Sequence, residues 1–428
     1  MKNMNTKKIT TLIVLAAALV ALPACNDFLD EMPDNRTELD SSDKITSLLV
    51  SAYSEHTYPV TCEYASDNVD ETALVSPDFE PEQEEYYRWQ DVTAAVTNEA
   101  PQAVWSQYYM AIAAANQALD AIKELGGADT PQLKAAKGEA LICRAYAHFC
   151  LANMFCQAYN PQYASEDLGI PYMEKAETIL DPKYTRGTLA DVYTQIQSDI
   201  TEAELAVKTA GSANAIYLTA DAITAFKAQV ALDMHDYPNA SKYASSLYAS
   251  YPLVDSKIAL EQMWREDTST ETIFQPEVNT TTLGSVSSMS DYYNGLWNGS
   301  KFVTTPFYVL EQHIVDLFST DDYRMGIYLE NSFVQLSSSQ KGNGYLLTKF
   351  IGNKFFRSAL TQLNYKNMPK VFRVAQMYLI DAEAQYQQNG GGAGPLNALR
   401  QSRGLEPTDA TGKDLFAAIK DEYVREMM

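Results

Sequence analysis

The chain has 428 residues, 46% of them hydrophobic and 20% charged, with a formal net charge of −23. Residues 1–24 hold three lysines and no acids, so removing them takes the charge from −23 to −26. A surface this acidic repels phosphate backbones and anionic headgroups and has no basic cluster to overcome that, which excludes nucleic acid as a partner.

Lys2, Lys7 and Lys8 precede an unbroken apolar run over residues 10–22, too short to span a bilayer and laid out as a secretion signal. The run ends in Leu22, Pro23, Ala24 and Cys25, the pattern of lipoprotein processing. Residues 1–24 are therefore expected to be cleaved and Cys25 to be lipidated. Residues 25–42, polar and acidic with Pro33, read as a tether. Cys143, Cys150 and Cys156 fall on one predicted helix, seven and six residues apart, too far along its axis to bridge. They read as small buried hydrophobes, and with Cys62 standing alone no disulfide framework is implied.

Residues 43–254 read as a helical-repeat region. A short helix is expected over 43–53, then long ordered loops over 54–98. Two long helices folded back on each other are predicted over 97–159. Trp105, Tyr108, Tyr109, Ile112, Ala115, Leu119 and Ile122 form the stripe of the first, and Gly126 and Gly127 stop it. Thr130 before Pro131 restarts a helix, the hydroxyl capping orphan amides and proline filling the first turn. That second helix is apolar nearly all round, so it must be covered on both flanks. An extended connection with two prolines then leads to Thr188 and Asp191, spaced as a capping box, and a face of Val192, Ile196, Ile200 and Ala203. Thr219 opens another helix, and DYPNA turns into a further one. Ala228, Tyr237, Ala240 and Pro252 stand at tetratricopeptide offsets there.

Helical order lapses over 255–367, a Ser-, Thr-, Asn- and Gly-rich stretch with strand-like pieces such as GYLLTKFIG, read as a second lobe. It returns over 368–428. Val371, Val374, Ala375, Tyr378, Leu379, Ala382 and Tyr386 form one stripe, stopped at Asn389 and Gly390. A short helix from Pro395 ends at Gly404, and Thr411 with Asp414 is expected to cap a last one with its face at Ile419, Tyr423 and Met427. The fold class is mainly α: tetratricopeptide-like hairpins in an α-α superhelix, with a loop-rich, partly β lobe.

Several stretches, in this order, resemble the SusD/RagB family of nutrient-binding outer-membrane lipoproteins. They are CNDFLDEMPDN after the lipobox, W-x(2)-YY-x(2)-I-x(3)-N from Trp105 to Asn116, GEALICRAYAHFCLANMF from Gly138 and LGIPY from Leu168. RGTLADVYTQIQSDITEAE from Arg186, the hairpin around Tyr237, FRVAQMYLIDAEAQY and LNALRQSRGL continue the series. The resemblance implies four tetratricopeptide-type hairpins with a grafted loop-rich lobe. It also implies a place at the outer membrane, lipid-anchored and facing the exterior, as a lid over a TonB-dependent transporter. The implied ligand is an oligosaccharide or, in some branches, a peptide. Family members usually continue beyond the equivalent of REMM, so the C-terminal helical region is expected to be cut short.

His56, His148, His235 and His313 are in no metal spacing, and no nucleophile-elbow, zinc-protease, Walker or dinucleotide motif is present, so neither a cofactor nor catalysis is implied. His148, inside the apolar helix, reads as a satisfied core histidine. A sugar site needs flat apolar faces for pyranose C–H surfaces and fixed polar groups for hydroxyls. Two stretches offer that. Asp67 and Asn68 with Tyr86, Tyr87, Arg88 and Trp89 form one candidate; Asp291, Tyr292, Tyr293, Asn294, Trp297 and Asn298 form the other and the preferred one. The leading expectation is a non-enzymatic glycan-capturing importer component. A peptide-binding component of the same family, a helical-repeat adaptor binding a protein and a surface glycoside hydrolase are the alternatives.

Overall fold

A computed structural model describes residues 38–54, 59–71, 81–92, 100–177, 179, 182–210, 218–265, 269–275, 295–297, 302–304, 308–335, 341–347, 349 and 370–428. The chain divides into two units, residues 1–40 and 41–428, and the second carries all the elements below. Cys25, its signal segment and most of the tether lie outside the described residues.

Helix α1 (Ser42–Leu49) runs into a single 3-10 turn, as expected for 43–53. Residues 54–98, expected as loops, carry two short helices, α2 (Pro59–Tyr64) and α3 (Pro81–Tyr87), and strand β1 (Val69–Glu71). Each is too short for periodicity to reveal it.

The hairpin predicted over 97–159 is α4 (Pro101–Glu124) and α5 (Pro131–Phe155). Gly126 and Gly127 break the chain between them with φ of 96° and 109°, and Thr130 Oγ1 accepts from Leu133 N at 3.2 Å. Helix α5 has neighbours on both flanks, α4 on one and α6 (Leu189–Ala210) on the other. A Cβ on Gly138 would meet Val207 Cγ2 at 2.5 Å, so glycine there lets α5 and α6 approach closely. The Thr188–Asp191 capping box closes reciprocally: Asp191 N donates to Thr188 Oγ1 and Thr188 N to Asp191 Oδ2, both at 3.1 Å.

A buried polar knot fastens the extended 168–177 connection to this hairpin. Arg144 donates to both Asp199 oxygens at 2.6 and 2.7 Å, to Asn116 Oδ1 and to the Glu174 carbonyl. His148 Nε2 accepts from Met173 N at 3.0 Å, so its proton sits on Nδ1, which donates to the Arg144 carbonyl at 2.8 Å. Burial pushes the His148 pKa down to about 3, keeping the ring neutral and stacked on Tyr172. The core-histidine expectation holds.

The next hairpin is α7 (Ala220–Asp233) and α8 (Tyr237–Ser245); Thr219 caps α7 through Ala222 N at 3.1 Å. The region expected to lack helical order contains α9 (Lys257–Arg265), with Leu260 and Met263 fully buried, and the short α10 (Gln312–Val315). Its strands are β2 (Thr272–Phe274), β3 (Gly295–Trp297), β4 (Phe302–Thr304), β5 (Tyr308–Leu310), β6 (Leu329–Gln335) and β7 (Lys341–Leu347). Strands β3, β4, β6 and β7 form one sheet in that order, with β4 and β6 parallel. Strand β1 pairs with β5, and β2 with β8 (Phe372–Arg373), which leads into α11 (Val374–Asn389). Gly390, at φ 76°, ends α11; α12 (Ala393–Ser402) and α13 (Gly412–Met427) follow.

Two expectations for α13 fail. Thr411 stands at the cap position, but its side chain makes no capping hydrogen bond. Met427 is 40% exposed, whereas Glu422 and Glu426 on the buried face are 0% exposed. Glu426 sits in a cage of Arg324, Arg373, Arg403 and the Tyr328 hydroxyl at 2.5–3.2 Å. Burial alone would raise its carboxyl; Arg403, Arg373 and Arg324 hold it well below the usual range instead. Arg403 also grips both Glu271 oxygens, and Lys349 Nζ donates to the Glu426 and Met428 carbonyls at the end of α13. This cluster ties lobe residues to the C-terminal helices.

Candidate functional site

Antiparallel pairing of β1 with β5 sets Val69 opposite Leu310 and Asp70 opposite Val309, and Glu311 N donates to the Asn68 carbonyl at 2.9 Å. That register brings the 66–70 turn beside Glu311 and His313. Asn68 shapes the turn, its amide donating to Glu63 Oε1 at 3.1 Å and its backbone N–H to Ser66 Oγ. Burial raises the Glu63 carboxyl and the Asn68 bond draws it partly back.

Helix α3 supplies the facing wall. Tyr86, 6% exposed, packs into the lobe core with Tyr64, Val69, Leu260 and Ile314. The helix ends in a Schellman motif: Gln90 N donates to the Glu85 carbonyl at 2.9 Å and Trp89 N to the Tyr86 carbonyl at 3.1 Å. Trp89 thus occupies the left-handed position that glycine normally fills, at φ 53°, a strain of roughly 1 to 2 kcal/mol for a bulky residue. Its ring is 81% exposed.

Between these walls lies an open, polar cleft of about 640 Å³ lined by Ser66, Asp67, Val69, Asp70, Tyr87, Arg88, Trp89, Glu311 and His313. Arg88 lies 2.8 Å from Glu84, one turn back on α3. Glu311 accepts from Gln312 N at 2.7 Å, opening α10, and stands 3.6 Å from His313 Nδ1. An exposed indole beside carboxylates, a guanidinium and an imidazole can cover one face of a sugar ring and hydrogen-bond its hydroxyls.

Of the first candidate set, Asp67, Tyr87 and Trp89 line the cleft, while Asn68 holds its turn and Tyr86 anchors its wall in the core. Tyr86 is packing, not a lining residue. Of the second set, Asp291, Tyr292, Tyr293, Asn294 and Asn298 lie outside the described residues, and of Trp297 only the backbone is described, paired with Phe302. Asp70 lies three residues from Asp67 in the same stretch, whereas Glu311 and His313 are not legible as site residues, because only the β1–β5 pairing brings them there. Among the described residues no group of three or more His, Cys, Asp or Glu is placed to hold a metal ion, and no helix is long and apolar enough to cross a membrane.

Two other cavities differ in kind. One of about 280 Å³ lies between α4 and the 171–184 connection, lined by Trp105, Tyr109, Met173 and Tyr184 among others. The second, about 120 Å³, is walled by core aromatics including Tyr108, Tyr146, Phe226 and Phe372. The first carries a single exposed carboxylate, Glu177, beside Lys175, and the second has no carboxylate in its lining.

A repeat scaffold of helical hairpins, with a loop-rich lobe bearing an open aromatic cleft, defines a class of ligand-binding protein. The SusD family model matches residues 177–428, more than half of the chain, and the chain belongs to the SusD family. A second model, described as starch-binding associating with outer membrane, matches residues 27–232. Proteins of this family are binding proteins associated with the cell surface or outer membrane. Among solved structures, a SusD-like carbohydrate binding protein from Bacteroides vulgatus superposes with a TM-score of 0.72 at 19% identity, over 90% of this chain and 81% of that one. A SusD superfamily protein from Bacteroides thetaiotaomicron gives 0.71 at 19% identity, over 91% and 86%. A laminarin binding SusD-like protein gives 0.67 at 20%, over 92% and 89%. At these identities the likeness is one of fold. No curated protein matches the sequence.

Proposed function

We propose that this chain is a lipid-anchored protein of the outer cell surface that captures oligosaccharides, without chemistry, and passes them to a TonB-dependent transporter. Family membership supports the ligand class. The observation that carries the site is Trp89: a large ring, 81% exposed, held in a left-handed backbone position above a polar cleft. A residue that costs stability and gains no burial is placed for something outside the chain.

Calorimetric titration of a panel of oligosaccharides and peptides against the protein and Trp89→Ala tests this. At least one oligosaccharide should bind, and its affinity should fall about ten-fold in the variant, the scale of a lost stacking face. Binding of peptides alone would move the chain to the peptide-capturing branch, and Trp89-independent sugar binding would move the site elsewhere. The anchor is tested separately: Cys25→Ala should leave the protein soluble in the periplasm, and membrane retention of that variant would exclude lipidation at Cys25.

A further inference from the structure

We infer that the Trp89 cleft selects neutral oligosaccharides and disfavours those bearing uronate or sulfate groups, an inference that rests on the cleft being the glycan site. Anionic glycans require cations aimed at their charged groups, usually guanidinium pairs that can fork onto a carboxylate or sulfate. The cleft is built the other way. Asp67 and Asp70 are exposed along one wall and Glu311 stands at the end of the paired strand, so three carboxylates line the cleft, and among its described lining residues the one permanent cation is Arg88.

That cation is already engaged, its Nε 2.8 Å from Glu84 and its guanidinium 5.9 Å from the Tyr87 ring centre. His313, the other basic group, faces Glu311 at 3.6 Å, so a proton gained there would be neutralised within the cleft wall. The whole chain adds a net charge of −23 behind this local field. Hydroxyls suit such a lining, because carboxylates accept strongly from O–H donors and the indole covers the apolar ring face. An anionic group held within about 7 Å of these acids is repelled on the order of five- to ten-fold in affinity at low salt, and less as salt screens the field.

The experiment compares matched ligands: neutral gluco-oligosaccharides, the same chains oxidised to uronates at C6, and their sulfated forms. Each is titrated against the protein, Trp89→Ala, and the triple variant Asp67→Asn, Asp70→Asn, Glu311→Gln, at low salt and near 0.5 M. The expected result is a neutral ligand bound at least five-fold more tightly than its anionic counterparts. The neutral-to-anionic ratio should shrink toward one both in the triple variant and at high salt. Anionic ligands bound as tightly or more tightly, with affinity still lost in Trp89→Ala, would overturn the charge selection and leave the cleft as the site. Loss of Trp89 dependence for every ligand would instead remove the site on which the inference rests. Circular dichroism of the triple variant separates a folding defect from a change in selectivity.

Discussion

Trp89 and His235 occupy the same backbone position in two different helix ends, and the chain uses them in opposite ways. Both are C-terminal Schellman positions with positive φ, 53° and 61°; at the second, Asp236 N donates to the Ala231 carbonyl and His235 N to the Leu232 carbonyl. The His235 ring turns back and stacks on Tyr237 at 5.5 Å and 13°, and the next residue, Asp236, caps α8. Its strain is offset by a tight hairpin turn. The Trp89 ring remains over the cleft, with no stacking partner among the described residues, so the same strain has no internal return. The contrast supports the proposal that the Trp89 ring faces a ligand, and it can be tested from several sides.

The largest effect should come from a polar group turned fully inward. Arg144→Ala leaves Asp199 buried without its bidentate partner and frees the 168–177 connection, at about 3 to 5 kcal/mol of stability. Chemical denaturation would measure it. Phe226→Ala, which empties a ring contacting Tyr146 and Phe149, should cost a similar 3 to 5 kcal/mol, roughly the range for buried phenylalanines. Neither should change affinity per folded molecule by more than about two-fold, since neither residue reaches the cleft.

Trp89→Ala comes next and inverts that pattern. Affinity for the bound oligosaccharide should fall by about 1 to 3 kcal/mol while the denaturation midpoint holds or rises.

Acidity gives a smaller, signed effect. Burial raises the Asp233 carboxyl to about 7, with Glu383 adding to the rise and the Gln229 hydrogen bond opposing it. Its folded pKa lies above the unfolded carboxylate value, so the folded state holds the proton more tightly. The stabilisation is fully present below the unfolded pKa, declines as pH rises from about 4 to 7, and is gone above that. Asp233→Asn keeps an acceptor for Gln229 and should raise stability at pH 8 by on the order of 1 kcal/mol, and less at pH 5, because the group remains partly open to solvent. Thermal melts across pH 4–8 would show the two curves diverging upward in pH; parallel curves would exclude the shift.

How far the sequence reveals this molecule depends on where each signal is written. The hairpins are legible because stripes, caps and stops are local: Thr130, Thr219, Gly390 and the Thr188–Asp191 box all behave as their neighbours dictate. Helix α9 stands outside the expected helices although Ser256 and the Leu260–Met263–Trp264 spacing announce it, because nine residues amid loop-like sequence carry little periodic weight. The buried face of α13 departs from expectation for a different reason. The expected face takes in Met427 and leaves out Glu422 and Glu426, whose burial is made possible by Arg324, Arg373 and Arg403, distant in sequence. The cleft was half legible: aromatics beside acids pointed to Asp67, Tyr87 and Trp89, while Glu311 and His313 arrive through strand pairing that no local pattern encodes. Nothing in the stretch YYRW says that Tyr86 turns inward and Trp89 outward.

A small stability change carries the most information. Trp89→Gly places at the left-handed position the residue that fits it, so stability should rise by about 0.5 to 1 kcal/mol, net of the added freedom of the unfolded chain. His235→Gly should give less, because the stack on Tyr237 is lost with the strain. Measuring stability and oligosaccharide affinity on the same preparation of Trp89→Gly tests most directly whether the ring is held for a ligand. The expected result is a more stable protein that binds at least ten-fold more weakly; a more stable protein with undiminished affinity would show that Trp89 is not part of the glycan site.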